Sequence, residues 1–290
     1  MYQRILIGVD FSDSSVDTVR WAVSRFPDAE LVLFHSIERF TVPGYLVQEL
    51  GDRLDLLEEK ELDVRTNLEL IASRLEIDVR FDIRRGWTPD TLQLAAAEHD
   101  SELIVVGAHQ HRLSPTDELG HTCAAIVRKA EIPVLVWRPV RAEKDKTIVG
   151  ALDLREGSAP VAVTAAEYAA YFKTRLVLLH AMPGTLQAYM RAVSSPAMVE
   201  KSLQRIEKRA RDEALASVPA ALREKVQVQA SIVRGRPIYT HILNTAETEH
   251  ADLIVIGKAY APGLKGRVLL GGTTTRVIRG ANCSVLTIPV

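Results

Sequence analysis

Cysteine is scarce in this chain of 290 residues: there are two, Cys123 and Cys283, with no Cys-x-x-Cys spacing. That excludes a disulfide scaffold and predicts a reducing compartment, with both thiols acting as small apolar fillers. Long apolar runs are also missing. Leu103–Val106 and Leu253–Ile256 are typical, far short of the ~20 residues of a membrane-spanning helix. Neither sign of charge is in excess, since 36 Lys and Arg meet 37 Asp and Glu for a formal net charge of −1. Without a basic surplus, nucleic acid is not an expected partner. No basic-then-apolar leader precedes the strand-like opening Met1–Gly8, so the expected location is cytoplasmic, with no membrane partner. Three motifs are absent: Gly-x4-Gly-Lys-Ser/Thr, Gly-x-Gly-x-x-Gly and Gly-x-Ser-x-Gly. Their absence argues against P-loop hydrolysis, dinucleotide-dependent dehydrogenation and serine hydrolysis. Trp21, Trp87 and Trp137 are scattered and read as packing residues.

What is present is ordinary globular composition, 47% apolar and 25% charged, in a length that suggests about two domains. The chain also repeats itself. Ile5–Asp10 is echoed by Ile148–Asp153, and Leu31–His35 by Leu176–His180. Arg85-Gly86 returns as Arg234-Gly235, Leu103–Gly107 as Leu253–Gly257, and Pro133–Val136 as Ser284–Thr287. The matches keep their order while the spacing drifts, as in a duplicated domain with altered loops. The charged stretch Arg138–Lys146 is the expected boundary, giving domains over 1–140 and 146–290.

Each half alternates apolar runs with amphipathic ones. In the first, strands are expected at Arg4–Val9, Glu30–Ser36, Asp78–Arg84, Glu102–Gly107 and Val134–Trp137. Helices are expected at Ser14–Arg25, Leu46–Leu75, Pro89–Glu98 and Leu119–Ala130. In the second, strands fall at Thr147–Leu152, Arg175–Ala181, Val226–Arg234, Leu253–Gly257 and Ser284–Ile288. Its helices fall at Ser158–Phe172, Val199–Ser217, Pro237–Glu249 and Thr273–Gly280. Strands apolar at nearly every position imply an α/β fold of parallel sheets covered on both faces. Ser12 or Asp13 is expected to cap the first helix, and Pro89 and Pro237 suit a first helical turn.

Ligands of open parallel sheets bind beyond the carboxyl ends of the strands. That singles out Asp10, His35 and the Gly107 loop, and in the second half Asp153, His180 and the Gly257 loop. A histidine ending a buried strand is more often a hydrogen-bonded framework residue than a base. The second loop is glycine-rich, carries Lys258, Lys265 and Arg267, and closes in Gly271-Gly272-Thr273 at a helix start. Free N–H groups and cations there suit a polyphosphate; a solvated basic loop with a threonine cap is the alternative. In the first loop His109, His111, His121 and Cys123 offer a His-x-His plus His-x-Cys set for zinc, against the alternative of exposed histidines. Met182–Val199 reads as a lid over an apolar pocket or as a cover for the sheet.

Each half resembles a universal stress protein domain, and nearly the whole chain resembles a tandem universal stress protein. The carriers are the first strand ending in Asp10, the Leu-Val-Leu-x-His second strands and the Asp/Glu-Leu-Ile-Val-x-Gly fourth strands. The closing Ile132–Val136 and Cys283–Leu286 complete the set. The resemblance implies an adenine nucleotide alpha hydrolase-like fold: two tandem open parallel five-stranded sheets, with helices on both faces. It also implies a homodimer or an intramolecular pseudo-dimer formed through Val134–Trp137 and Ser284–Ile288. Many family members bind ATP through Gly-x2-Gly-x9-Gly-Ser/Thr, with an acidic residue after the first strand near the adenosine. Here Gly107 and Gly120 keep the family spacing, but Gln110 and His121 replace the second Gly and the hydroxyl, and Asp117 and Glu118 add repulsion. In the second half Asp153 and Gly257 match, Tyr260 replaces the second Gly, and Gly271 arrives one residue late. The expectation is a stress-response sensor binding ATP or another adenine nucleotide through its second half. A weak ATPase, or an adaptor without nucleotide, is the alternative.

Overall fold

In a computed structural model of the chain, Ile5, Leu6 and Ile7, and likewise Leu103, Ile104 and Val105, have no exposed surface. Residues buried on both faces in this way form the middle of a covered parallel sheet. The structure describes residues 1–38, 56–108, 121–139, 147–155, 158–182, 184, 189, 192, 195–235, 237–258 and 271–290, without the side chains of 56–59 and 121. These residues form two units, Tyr2–Trp137 and Arg138–Val290, each contributing five strands.

The N-terminal unit runs β1 (Arg4–Gly8), α1 (Asp13–Arg25), β2 (Glu30–Ile37), α2 (Leu56–Leu75), β3 (Arg80–Arg85), α3 (Thr88–Glu98), β4 (Leu103–Gly107), α4 (His121–Lys129), β5 (Val134–Trp137). Its strands are parallel in the order β3-β2-β1-β4-β5. The C-terminal unit runs β6 (Thr147–Leu152), α5 (Ser158–Phe172), β7 (Arg175–Met182), α6 (Pro196–Ala216), α7 (Ala220–Arg223), β8 (Val228–Arg234), α8 (Ile238–Thr248), β9 (Ala251–Lys258), α9 (Gly272–Gly280), β10 (Ser284–Pro289). Its order is β8-β7-β6-β9-β10, again all parallel.

Every expected strand is present, with ends shifted by at most two residues. Ser12 is the cap of α1: its Oγ accepts from the Ser15 N–H at 3.2 Å. Pro89 sits in the first turn of α3, whereas Pro237 stands one residue before α8, as its cap. Helix α6 starts three residues earlier than periodicity suggested, because Pro196 tolerates the first helical position, where no N–H is needed. The four-residue α7 is too short to show a helical period. The expected helical residues 46–55, and 183, 185–188, 190, 191, 193 and 194 of the Met182–Val199 segment, lie outside the described residues. Met182 and Val199 pack with Leu203 in one apolar cluster.

Equivalent ion pairs tie the third strand of each sheet to the helix before it. Arg85 pairs with Glu61 of α2 at 3.0 Å, and Arg234 pairs with Glu200 of α6 at 3.0 Å and with Glu207. The N-terminal unit adds a second cluster. Arg84 donates to both oxygens of Asp82, at 2.9 and 2.7 Å, and to Glu98, while His99 Nε2 meets Asp82 Oδ2 at 2.8 Å. Burial raises the pKa of Asp82, but the bonds from Arg84 and His99 outweigh it and hold the carboxyl below its usual range.

Candidate functional site

In both sheets the strand order reverses direction beside the first strand, between β1 and β4 and between β6 and β9. Connections leave that point on opposite faces, and a crevice opens at the carboxyl ends. Asp10 and Asp153 stand at its edge. The residue after each, Phe11 (φ 63°) and Leu154 (φ 55°), is left-handed, a conformation that costs a residue with a Cβ roughly 1–2 kcal/mol. Both units pay it at the same place, which turns the aspartate back over the next helix start. Asp10 Oδ1 accepts from the Ser12 N–H at 3.0 Å and the Ser12 hydroxyl at 2.5 Å. Asp153 Oδ1 accepts from the Arg155 N–H at 3.0 Å and the Ser158 hydroxyl at 2.6 Å.

The two histidines also repeat. His35 Nδ1 lies 2.7 Å from the Val9 carbonyl and His180 Nδ1 2.9 Å from the Leu152 carbonyl. A carbonyl only accepts, so Nδ1 carries the proton in each. Both are framework residues, holding the second strand to the end of the first. Burial lowers the pKa of His35, against the opposing pull of the Val9 bond and of Asp10. Phe11 lies against its ring, centroids 4.6 Å apart.

Beyond this shared frame the clefts differ. The N-terminal cleft measures about 230 Å³ and is lined by Asp10, Ser15, His35, Ser36, Glu38, Thr88, Thr122 and Cys123 over an apolar base. Ser36 donates to the Gly86 carbonyl at 2.9 Å and Thr88 to Glu38 at 2.8 Å. Neither Lys nor Arg is among its described lining residues. Gly107 lines it too, but a Cβ there would lie 3.3 Å from Thr18 Oγ1 and 3.4 Å from Ser14 Oγ. Its small size therefore serves the close approach of α1. Gly120, His109, His111 and the side chain of His121 lie outside the described residues. Cys123 is buried. Among the described residues no cluster of three or more His, Cys, Asp or Glu could hold a metal, so nothing here supports the zinc expectation.

The C-terminal cleft measures about 650 Å³. Its floor is aliphatic, from Ala151, Leu152, Val161, Leu179, Ala181, Ile238, Ile242 and Ile256, and its rim carries Asp153, Arg155, Ser158, Thr273 and Thr274. Gly257 again serves packing, since a Cβ would meet Val290 Cγ2 at 3.0 Å and Val161 Cγ2 at 3.3 Å. Thr274 Oγ1 donates to the Gly257 carbonyl at 3.0 Å, fixing the start of α9 to the end of β9. Gly271 is the cap of α9 and supplies no side-chain hydrogen bond. A Cβ on Gly271 or Gly272 would meet nothing within 4 Å, and the first N–H groups of a helix have no acceptor within it, which suits an anion. Lys258 is the last residue of β9 and only 1% exposed, a buried lysine rather than a solvated loop cation, and it does not line the cleft. Lys265 and Arg267 lie outside the described residues. Cys283 is buried, which pushes its thiol pKa up to about 12 and leaves it inert.

Sequence reasoning missed Arg155, Ile238 and Ile242. Arg155 was findable, because it stands two residues after Asp153 in the turn that any first-strand loop brings to the crevice. The two isoleucines depend on which face α8 turns inward, which the sequence does not state.

Two halves of parallel strand order 3-2-1-4-5, each with a crevice at its switch point, define a duplicated doubly wound α/β protein. The model of the universal stress protein family matches residues 1–138 and again 145–289, and the chain belongs to that family as a tandem member. A universal stress protein of Mycobacterium tuberculosis is 24% identical over 304 residues, covering 98% of this chain and 95% of its own. A universal stress protein of Methanocaldococcus jannaschii is 40% identical over 63 residues, 22% of this chain and 36% of that one. Among solved structures, a universal stress protein from Archaeoglobus fulgidus superposes with a TM-score of 0.66 at 17% identity, covering 99% of this chain and 98% of its own. A functionally unknown protein from Pseudomonas aeruginosa gives 0.63 at 18% identity, over 99% and 92%. No described helix is long and apolar enough to cross a membrane.

Proposed function

We propose that the chain is a ligand-sensing regulatory protein of the stress response that binds ATP or another adenine nucleotide in its C-terminal cleft. The observation that carries this is one cleft of about 650 Å³ with Asp153 on its rim and the open N-terminus of α9 on the same rim. That volume lies within the roughly 300–1,000 Å³ of small-molecule sites. The residues suit the parts of a nucleotide. The aliphatic floor accepts a base. Asp153 Oδ2 receives no hydrogen bond among the described residues and can accept from a ribose hydroxyl or an amino group. The N–H groups that follow Gly271 and Gly272, with the Thr273 hydroxyl, can donate to phosphate. The N-terminal cleft, at about 230 Å³ with Asp10 and Glu38 on its wall, offers neither the room nor the charge.

The test is titration of labelled ATP against the wild type and a Gly271→Val, Gly272→Val double variant. A Cβ at either position meets nothing within 4 Å, so the variant is expected to fold normally and to lose binding. Equal binding by both proteins, or none by either, rejects the site. Turnover of ATP above the level of the double variant would add an activity to the binding.

A further inference from the structure

We infer that Arg155 selects for the phosphate chain of the ligand, so that the C-terminal cleft discriminates nucleotides by negative charge and the chain holds one such ligand, not two. The inference rests on the nucleotide reading above and adds its selectivity. Arg155 lines the large cleft and is exposed at its mouth. Its backbone N–H is fixed to Asp153 Oδ1 at 3.0 Å, which anchors the residue beside the ligand space. Its guanidinium makes no ion pair among the described residues. Among the described residues the other arginines near a ligand-side strand end are already engaged: Arg84 with Asp82 and Glu98, Arg85 with Glu61, Arg234 with Glu200 and Glu207, and buried Arg138 with the Ile278 carbonyl. An uncommitted planar fork facing a cleft is the donor set that phosphate oxygens match best.

Asp153 does not cancel this charge for a ligand. One of its oxygens already takes the Arg155 N–H and the Ser158 hydroxyl, and the other is free to receive a donor from a sugar or base. The equivalent of Arg155 in the N-terminal unit is Ser12, whose hydroxyl is spent on Asp10. That cleft therefore has a committed hydroxyl where the other has a cation.

Titrating the full chain with ATP, adenosine and inorganic tripolyphosphate, at low and at moderate salt, tests this. The wild type is expected to bind one ATP per chain, with affinity falling as salt rises because the guanidinium is exposed. Arg155→Ala is expected to weaken ATP and tripolyphosphate by about tenfold at low salt, as loss of a hydrogen bond to a charged group does. Adenosine should stay within about twofold and the salt dependence should flatten, while Arg155→Lys should recover part of the ATP affinity. Equal weakening of ATP and adenosine, or no change in either, overturns the role of Arg155. Wild-type binding of tripolyphosphate without adenosine keeps the anion selectivity and rejects the nucleotide reading; binding of neither rejects both.

Discussion

The two clefts stand on the same frame and differ in what fills it. Both have an aspartate after the first strand, a left-handed residue behind it and a histidine donating to the first strand's last carbonyls. Around that frame the N-terminal unit places Ser12, Ser36, Glu38 and Thr88, and the C-terminal unit places Arg155, Ala181 and Ile238. One cleft is small, with two carboxylates and no described cation on its lining; the other is large, with an aliphatic floor and a cation. The two halves keep the parts that hold the backbone and differ in the residues that line the crevices.

The comparison can be broken at several points. The largest effect is expected from Gly271→Val with Gly272→Val, which should reduce ATP affinity at least ~100-fold by blocking several phosphate donors at once, with a melting temperature within a few degrees of wild type. Next comes Gly257→Ala. Its Cβ would meet Val290 at 3.0 Å and Val161 at 3.3 Å, so denaturant unfolding should show a loss of about 1–3 kcal/mol from overpacking. Gly107→Ala meets hydroxyls at 3.3–3.4 Å that can shift, and should cost less, about 1 kcal/mol. A Gly107 cost above the Gly257 cost would mean that the two glycines do not play matching roles.

A smaller effect concerns pH. Burial lowers the pKa of His35 below its ordinary 6.5. Between the folded and unfolded values the unfolded chain binds more protons, so this contribution to stability is complete above about pH 6.5 and is lost as pH falls through the folded value. Unfolding of the wild type measured between pH 7.5 and 5 should lose that increment on the acid side, and His35→Gln should flatten it. A wild type more stable at the acid end of the range would contradict this assignment. The smallest effect is expected from Glu38→Gln, which should leave ATP affinity within about twofold because the proposed site lies in the other cleft.

Much of this was legible in sequence. Ile5–Ile7 and Leu103–Val105 are apolar at consecutive positions because both faces of their strands are covered, and that run survives in both halves as the repeat. Asp10 and Asp153 follow strands that periodicity locates, and His35 and His180 lie near the ends of such strands, so their place at the crevice was readable as well. The packing around Gly107 and Gly257 was not: both line their clefts, and the sequence does not state that α1 closes on one and Val161 with Val290 on the other. Lys258 counts as a loop cation in sequence and is buried in the structure. The aliphatic floor came from Ile238 and Ile242, whose orientation is set by how α8 packs on its sheet rather than by its local pattern.

The central claim is that the two halves of one chain have unequal sites, and calorimetric titration of the intact chain with ATP tests it most directly. The account predicts one ATP per chain, lost in the Gly271→Val, Gly272→Val variant and retained in Asp10→Asn. Two ATP per chain, or binding that survives the glycine substitutions and disappears in Asp10→Asn, would contradict it.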